Sequence, residues 1–232
     1  MRVAIMQPYF MPYIGYFQLI AAVDLFIIYD NIEYTKKGWI NRNRLLQNGT
    51  DCVFSLPLKK DSDFLHIRER ELAASFDRRK LLNQIKGAYQ KAPYFDDIFP
   101  LVENIVTCNE SNLFEFLRQS TAKVCCYLNV ETEIRVSSSI PIDKTLKNQE
   151  KVIALNRAVG ANIYINSSGG MDLYDKKVFA QGGIQLQFIK PKPLEYMQFA
   201  EPFVSWLSII DVLMFCDRSS VMRYLKLVEF SA

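Results

Sequence analysis

Short apolar runs alternate with stretches of helical periodicity along this chain. Runs of strand length, apolar or alternating, occur at 2–6, 24–29, 52–58, 131–139, 162–166 and 184–189. Segments with apolar residues at three- and four-residue spacing occur at 13–22, 78–90, 112–128, 148–159, 174–180 and 207–215. The first set predicts buried strands and the second predicts helices with one buried face.

Local signals mark several of the boundaries. Asp77 predicts an N-cap, Gly160 a helix C-terminus, and Asn48-Gly49 a turn before the strand at 52–58. The stretch 31–48 is long and polar, and no helix or strand is predicted there. The segment 93–100 has a proline at each end and is interpreted as a connector.

Strands that alternate with helices predict a mostly parallel sheet covered by helices on both faces. We expect a Rossmann-like three-layer α/β sandwich with about five mostly parallel strands and an irregular C-terminal helical cap. The absence of repeats and linkers favours a single α/β domain over 1–232, with 136–232 carrying the last strands and the cap.

The first predicted strand runs directly into a turn and a helix, which is where α/β folds bind ligands. Gln7, Tyr9, Tyr13, Gly15 and Tyr16 follow this strand and are candidate binding residues. Gly15 permits close approach of a backbone or ligand, and the helix N-terminus attracts anions. The alternative is a plain turn whose aromatic residues only pack.

Two further polar clusters follow strands. The second cluster comprises Asp30, Tyr34, Lys36, Trp39, Asn41, Arg42, Asn43 and Arg44. Its arginines can bind phosphate through charged hydrogen bonds, and its tryptophan can stack on a base or sugar. The alternative interpretation is a solvated loop with no ligand. The third cluster includes Asn166, Ser167, Ser168 and Gly169, which can wrap a phosphate or sugar with backbone N–H groups or form only a turn. Asp211, within an apolar helix, is expected to be paired or functional.

Composition excludes several classes. Lys and Arg total 28 against 25 Asp and Glu, so no basic field for nucleic acid is present. The only histidine, His66, lies in a charged loop, which disfavours a catalytic triad or a metal site. Five cysteines without CxxC spacing indicate reduced thiols and a cytoplasmic protein. No apolar run is long enough to insert into a membrane.

Four ordered motifs carry a family resemblance: QPYFMPYIGYFQLI at 7–20, WINRNRL at 39–45, YINSSGGMDLYDKKVF at 164–179 and FVSWLSIIDVL at 203–213. Together they resemble the WbqC-like family of bacteria, which is associated with surface polysaccharide and O-antigen biosynthesis. The resemblance implies an enzyme that adds a glycyl or similar acyl group to the amine of a nucleotide-linked amino sugar.

A weaker resemblance concerns Tyr13-Ile14-Gly15-Tyr16, which is similar in spacing to the HxGH motif of nucleotidyltransferases and pantothenate synthetase-like ligases. Tyrosine stands here where those families have histidine, so the positive charge is missing. This resemblance implies a nucleotide pocket, with ATP or another nucleotide as a candidate cofactor. No metal is expected, because the sequence has no cluster of metal-ligating residues.

In the preferred interpretation Arg42 and Arg44 hold the diphosphate and Trp39 stacks on base or sugar. Tyr13, Asn41 and Gln7 orient the reacting amide, and Asp30 accepts the proton of the amine. The expected partners are a nucleotide sugar and an acyl donor. Two alternatives remain: an ATP-dependent, adenylate-forming amide ligase or nucleotidyltransferase, and a non-catalytic protein that binds nucleotide sugars.

Overall fold

The computed structural model describes residues 1–231. The strands are β1 (Arg2–Met6), β2 (Leu25–Ile28), β3 (Arg42–Gln47), β4 (Thr50–Ser55), β5 (Glu133–Val136), β6 (Ile163–Ser167), β7 (Gln185–Pro191) and β8 (Val228–Ser231). The helices are α1 (Ile14–Ala21), α2 (Arg78–Tyr89), α3 (Phe95–Val106), α4 (Leu113–Tyr127), α5 (Asn148–Ala158), α6 (Lys176–Gln181), α7 (Ile209–Phe215) and α8 (Arg218–Tyr224).

Six strands form the central sheet in the order β5-β2-β1-β6-β7-β8. The first five are parallel, and β8 pairs antiparallel to β7. The chain builds outward from β1 through β2 to β5 and then crosses back to β6 and β7. This reversal of direction between β1 and β6 is the switch point of a Rossmann-like sheet, so the predicted fold class is confirmed.

Side chains of alternating strand positions enter two separate cores, as the pleat requires. From β1, Ala4 enters the larger core, whereas Val3 and Ile5 enter the smaller one. The larger core contains buried residues of α1 to α4, α7 and α8, and the smaller core those of α5 and α6. Helices therefore cover both faces of the sheet.

The polar stretch at 31–48, where the sequence predicts no helix or strand, contains β3. This strand pairs with β4 in a separate two-stranded sheet, with Gln47 opposite Thr50. The predicted turn at Asn48-Gly49 is confirmed, and both residues have positive φ (52° and 77°). That conformation matches the twist of a two-residue hairpin. The observed strand ends at Ser55, three residues before the predicted end at 58.

The connector predicted at 93–100 is wrong, because α3 begins at Phe95 and runs through Pro100. Ile98, Val102 and Ile105 form a buried stripe on this helix. Their burial outweighs the single helical hydrogen bond that Pro100, the sixth of the twelve residues of α3, removes. The sequence did not predict the short edge strand β8. The predicted N-cap at Asp77 is confirmed, because its side chain accepts a hydrogen bond from the Lys80 N–H.

Asp211 is fully buried in α7 and joins distant parts of the larger core. Its carboxylate accepts hydrogen bonds from the hydroxyls of Tyr89 (2.9 Å) and Tyr196 (2.6 Å) and from the amide of Gln198 (2.8 Å). The Tyr89 hydroxyl in turn accepts from the Leu46 N–H of the hairpin at 2.9 Å. Asp211 therefore connects the C-terminal segment to α2 and, through Tyr89, to β3.

Burial raises the pKa of the Asp211 carboxyl above its usual value, despite the three hydrogen bonds that lower it. The folded chain thus holds this proton more tightly than the unfolded chain. Protonation of this carboxyl therefore stabilises the folded state. The contribution to the free energy of unfolding is complete below the pKa of the carboxyl in the unfolded chain and is lost as pH rises through its pKa in the folded chain.

We therefore expect Asp211→Asn to lower the free energy of unfolding by about 1–3 kcal/mol, because one buried hydroxyl loses its acceptor. The difference in free energy of unfolding between wild type and this variant, measured by urea titration, should be larger near about pH 4 than near about pH 7. Asp172→Asn, at an exposed position, is the control and should show no difference. A difference that widens toward neutral pH would contradict the raised pKa.

Candidate functional site

A crevice opens where β1 and β6 separate. β1 pairs with β2 as far as Met6, but its pairing with β6 stops at Val3, opposite Tyr164. The carboxyl halves of β1 and β6 therefore diverge at the switch point and leave a cavity of about 320 Å³. It is lined by Met6, Tyr9, Pro12, Tyr13, Gly15, Tyr16, Leu19, Trp39, Asn43, Arg44, Ser167 and Trp206.

The loop between β1 and α1 is held in a strained conformation beside this cavity. Met11 has a φ of 43°, which is rare for a residue with a long side chain. The Asn43 amide donates to the carbonyls of Phe10 (3.1 Å) and Met11 (2.8 Å), and the Ser208 hydroxyl donates to Met11 O at 2.7 Å. Asn43 lines the cavity, yet its amide nitrogen supports the loop.

Gly15 makes room for the ring of Tyr13. A Cβ at position 15 would overlap the Tyr13 ring and hydroxyl, so the ring lies across the first turn of α1. The Tyr13 ring also packs on Trp206, with 5.4 Å between ring centroids. The glycine therefore shapes the cavity by allowing one particular position of Tyr13.

Three tyrosine hydroxyls lie around the N-terminus of α1. Gln7 Nε2 donates to the Tyr9 hydroxyl at 2.7 Å, and the Tyr16 hydroxyl donates to Gln7 O at 3.2 Å. Burial raises the pKa of Tyr9, Tyr13 and Tyr16, most strongly for Tyr16. All three phenols are therefore protonated at neutral pH and act as hydrogen-bond donors.

Arg44 supplies the positive charge at the cavity wall. Its guanidinium pairs with Asp51 at 3.1 Å and donates to the carbonyl of Trp206 at 3.0 Å. It also lies over the Trp39 ring, 5.4 Å from the centroid. Its Nε is buried and has no hydrogen-bond partner among residues 1–231, so the guanidinium faces the cavity with its other atoms.

Arg42 also lies over the Trp39 ring, 5.4 Å from the centroid, but it does not line the cavity. Its guanidinium donates to the carbonyls of Gly38 (2.9 Å) and Lys37 (2.7 Å) and so fixes the loop that precedes β3. Of the two arginines predicted to hold a diphosphate, only Arg44 is therefore at the cavity.

Asn41 and Asp30 are also held away from the cavity lining. Asn41 accepts from the Tyr34 hydroxyl at 2.8 Å and donates to Leu56 O at 2.7 Å. The buried Asp30 carboxylate accepts from the Ser137 hydroxyl (2.7 Å) and the Ser138 N–H (2.9 Å). The hydrogen bonds of both side chains go to protein groups near the ends of other strands.

The third polar cluster reaches the cavity through one residue. Ser167 lines it at the end of β6, whereas Ser168 and Gly169 do not. The side chain of Asn166 turns back to accept from the Ser167 N–H at 2.8 Å and lies beside Gly170, where a Cβ would clash with it.

Trp206 is the main lining residue that was not among the predicted site residues. Its φ of 61° is a strained value for a bulky side chain, and 62% of the residue is exposed. A tryptophan beside serines in the stretch 203–208 was the available sequence signal. Trp206 and Tyr13 also line a second cavity of about 270 Å³, so these two rings lie between the two spaces.

The cavity at the switch point therefore offers aromatic faces, phenol and guanidinium donors and the N-terminus of α1, and its lining residues include no carboxylate, histidine or cysteine. In the described part of the chain, no group of three side chains could hold a metal ion. Each helix within residues 1–231 is too short or too polar to cross a membrane.

Gly15→Ala should displace the Tyr13 ring and so change its packing on Trp206. We expect altered tryptophan fluorescence and a small change in melting temperature, because the gain in helix propensity offsets part of the clash. Gly87→Ala is the matched control, since a Cβ at this position in α2 meets nothing. It should stabilise the protein by about 0.5–1 kcal/mol and leave the fluorescence unchanged. Identical spectra for both variants would show that Gly15 does not position Tyr13.

Comparison with known proteins places this site within a family. The family model described as the WbqC-like protein family matches residues 7–223. An uncharacterized protein of Mycobacterium tuberculosis, Rv1507c, is 28% identical over 215 residues, which cover 91% of this chain and 92% of that protein. No solved structure matches the chain. Because the family match includes nearly every residue described above, the chain belongs to the WbqC-like protein family.

Proposed function

We propose that this protein binds a nucleotide-linked amino sugar at the switch point and acylates its amine during synthesis of a bacterial surface polysaccharide. The observation that carries the proposal is the cavity between β1 and β6, where aromatic walls, Arg44 and the N-terminus of α1 converge. Rings of a sugar or base stack on aromatic side chains, and phosphates favour guanidinium groups and helix N-termini.

In this proposal the diphosphate lies between the first turn of α1 and the guanidinium of Arg44. The Arg44 guanidinium lines the cavity and gives the phosphates a positive charge there. Trp39 already lies against this guanidinium and supplies the adjacent ring face. The cavity volume of about 320 Å³ is at the low end of the range for ligand pockets, so part of the ligand extends beyond it.

The second cavity provides a place for the acyl donor. Its lining is largely apolar and includes Leu194, Phe203 and Leu207. Tyr13 and Trp206 separate it from the first cavity, so a donor carbonyl and a sugar amine could meet beside the Tyr13 hydroxyl. A two-substrate reaction needs this proximity.

The transfer step joins the amine nitrogen to the carbonyl carbon of the donor, while the bond from that carbon to the leaving group breaks. The leaving group departs with the electron pair and with the proton of the amine. The protonated Tyr13 hydroxyl donates a hydrogen bond to the carbonyl oxygen as negative charge develops on it. Asp30 lines neither cavity and is therefore given no step in this proposal.

An ATP-dependent, adenylate-forming amide ligase is the second candidate. Tyr13 and Gly15 of the Tyr-Ile-Gly-Tyr sequence lie at the N-terminus of α1 beside the switch point, which favours a nucleotide phosphate there. Release of AMP during turnover would select this reaction. Tight binding of a nucleotide sugar with no turnover on any donor would instead indicate a non-catalytic binding protein.

Binding can be tested directly because both tryptophans of the chain line the first cavity. Mass spectrometry of ligands that co-purify identifies the nucleotide, and titration with nucleoside diphosphate sugars should change the tryptophan fluorescence. If neither calorimetry nor tryptophan fluorescence detects binding of any of these sugars or of ATP, the proposal is contradicted.

Arg44→Gln should weaken binding of a nucleoside diphosphate sugar by about 1.5–3 kcal/mol, because a charged hydrogen bond to phosphate is lost. Arg42→Gln is the matched control from the same strand, since its guanidinium bonds to the loop and not to the cavity. It should lower the melting temperature more than it lowers affinity. Calorimetry on the two variants checks the assignment, and an equal loss of affinity in both would contradict it.

Tyr13→Phe removes one hydroxyl and leaves the ring that packs on Trp206. Turnover should fall by roughly 10²-fold, the scale for a lost donor to developing charge, with little change in melting temperature. Tyr127→Phe, on α4 and outside both cavities, is the control. Steady-state rates with the identified substrates provide the measurement. Unchanged turnover in Tyr13→Phe would remove this residue from the chemistry.

A further inference from the structure

A separate, larger groove lies at the carboxyl ends of β2 and β5. Its volume is about 710 Å³, and it shares no lining residue with the cavity at the switch point. Tyr29 and Asn31 line it after β2, and Ser138 and Ser139 line it after β5. The same sheet edge therefore carries two distinct concave surfaces.

Positive charge dominates this groove. Its basic lining residues are His66, Arg68, Lys144, Lys147 and Lys151, against a single acidic lining residue, Glu33. His66 has the carboxylate of Glu69 at 3.7 Å. Within residues 1–231, the four Arg and Lys side chains form no ion pair, whereas lysines elsewhere, such as Lys36 and Lys59, do. The basic lining residues therefore outnumber the acidic one, and no ion pair within residues 1–231 neutralises the four Arg and Lys side chains.

Lys151 is the groove lysine whose contacts and pKa reflect this concentration of positive charge. Its ammonium donates to Asn31 O at 2.9 Å and lies over the Tyr29 ring, 4.9 Å from the centroid. Burial lowers its pKa, the charge of the buried Asp30 opposes that effect, and the charge of Arg68 adds to it. Arg68 and Lys151 therefore repel each other across the groove, and an anion between them would remove the repulsion.

The N-terminus of α5 opens into the same groove. Lys147 is the N-cap residue and makes no capping hydrogen bond, so free N–H groups of the first turn have no side-chain acceptor there. The first residue of α5, Asn148, also lines the groove and has a φ of 48°. This eleven-residue helix adds its positive end to the charge of Arg68 and Lys151, and Glu150 of its first turn, which does not line the groove, offsets part of that charge.

We propose that this groove is a second ligand site, which binds a pyrophosphate group, either free or as part of a nucleotide. Several cations arranged around a helix N-terminus match the multiple negative charges and acceptor oxygens of such a group. A single phosphate would leave part of this charge unmatched. The site is independent of the nucleotide-sugar proposal, because no residue is common to the two.

Calorimetric titration of the full chain with inorganic pyrophosphate, inorganic phosphate and ADP tests the proposal. We expect pyrophosphate to bind more tightly than phosphate and to bind more weakly as salt concentration rises. Tryptophan fluorescence should stay constant during the pyrophosphate titration, because both tryptophans line the other cavity. ADP binding that survives groove substitutions and changes the fluorescence would belong to the switch-point cavity.

Variants locate the binding. Arg68→Gln and Lys147→Gln should each weaken pyrophosphate binding roughly tenfold, since each removes one charged contact. Lys91→Gln, at an exposed position outside the groove, and Arg44→Gln, in the other cavity, should each change affinity by less than about twofold. Melting temperatures should not fall below that of wild type, because Arg68 and Lys147 make no ion pair among residues 1–231 and loss of the Arg68 charge relieves its repulsion of Lys151.

Three results would overturn the site. One is the absence of pyrophosphate binding by wild type at low salt. A second is an equal loss in Lys91→Gln, which would indicate a response to net charge alone. The third is a loss confined to Arg44→Gln with a change in tryptophan fluorescence, which would place the anion at the switch point.

Discussion

The chain reversal after β1 depends on hydrogen bonds supplied by distant segments. The carbonyls of Phe10 and Met11 are buried in a loop and have no partner in a sheet ladder, and leaving such groups unpaired costs about 1–3 kcal/mol each. Asn43 of the hairpin and Ser208, 197 positions after Met11, satisfy them. The cavity can therefore form only when the hairpin and the N-terminus of α7 have packed on this loop.

Much of the architecture follows from local pattern. Buried strands such as β1 and β2 consist of short apolar runs, and Asp77 and Asn48-Gly49 mark a helix start and a hairpin turn by side-chain and backbone chemistry alone. The helix through Pro100 could not be predicted in this way. Its stability comes from burial of one face against other helices, which a single proline within the helix does not prevent.

The polar residues of the site were harder to assign than the fold. Asn41 directly precedes β3, and Arg42, Asn43 and Arg44 begin it; the sequence alone gives each the same capacity for a ligand. In the structure, Asn41 and Arg42 bond to main-chain carbonyls and do not line the cavity. Asn43 and Arg44 line it, although each also donates to a main-chain carbonyl. Such partners lie in other segments, so spacing along the chain cannot reveal them.

The two ends of the central sheet have a consequence for the behaviour of this protein in concentrated solution. Its edge strands, β5 and β8, are four residues each, and β5 carries Glu133 and Arg135 as an exposed ion pair. Short, charged edges give an incoming strand few free N–H and C=O groups and force it to bury charge. The crevices along the carboxyl edge can thus stay open to ligands while the sheet resists edge-to-edge association between copies.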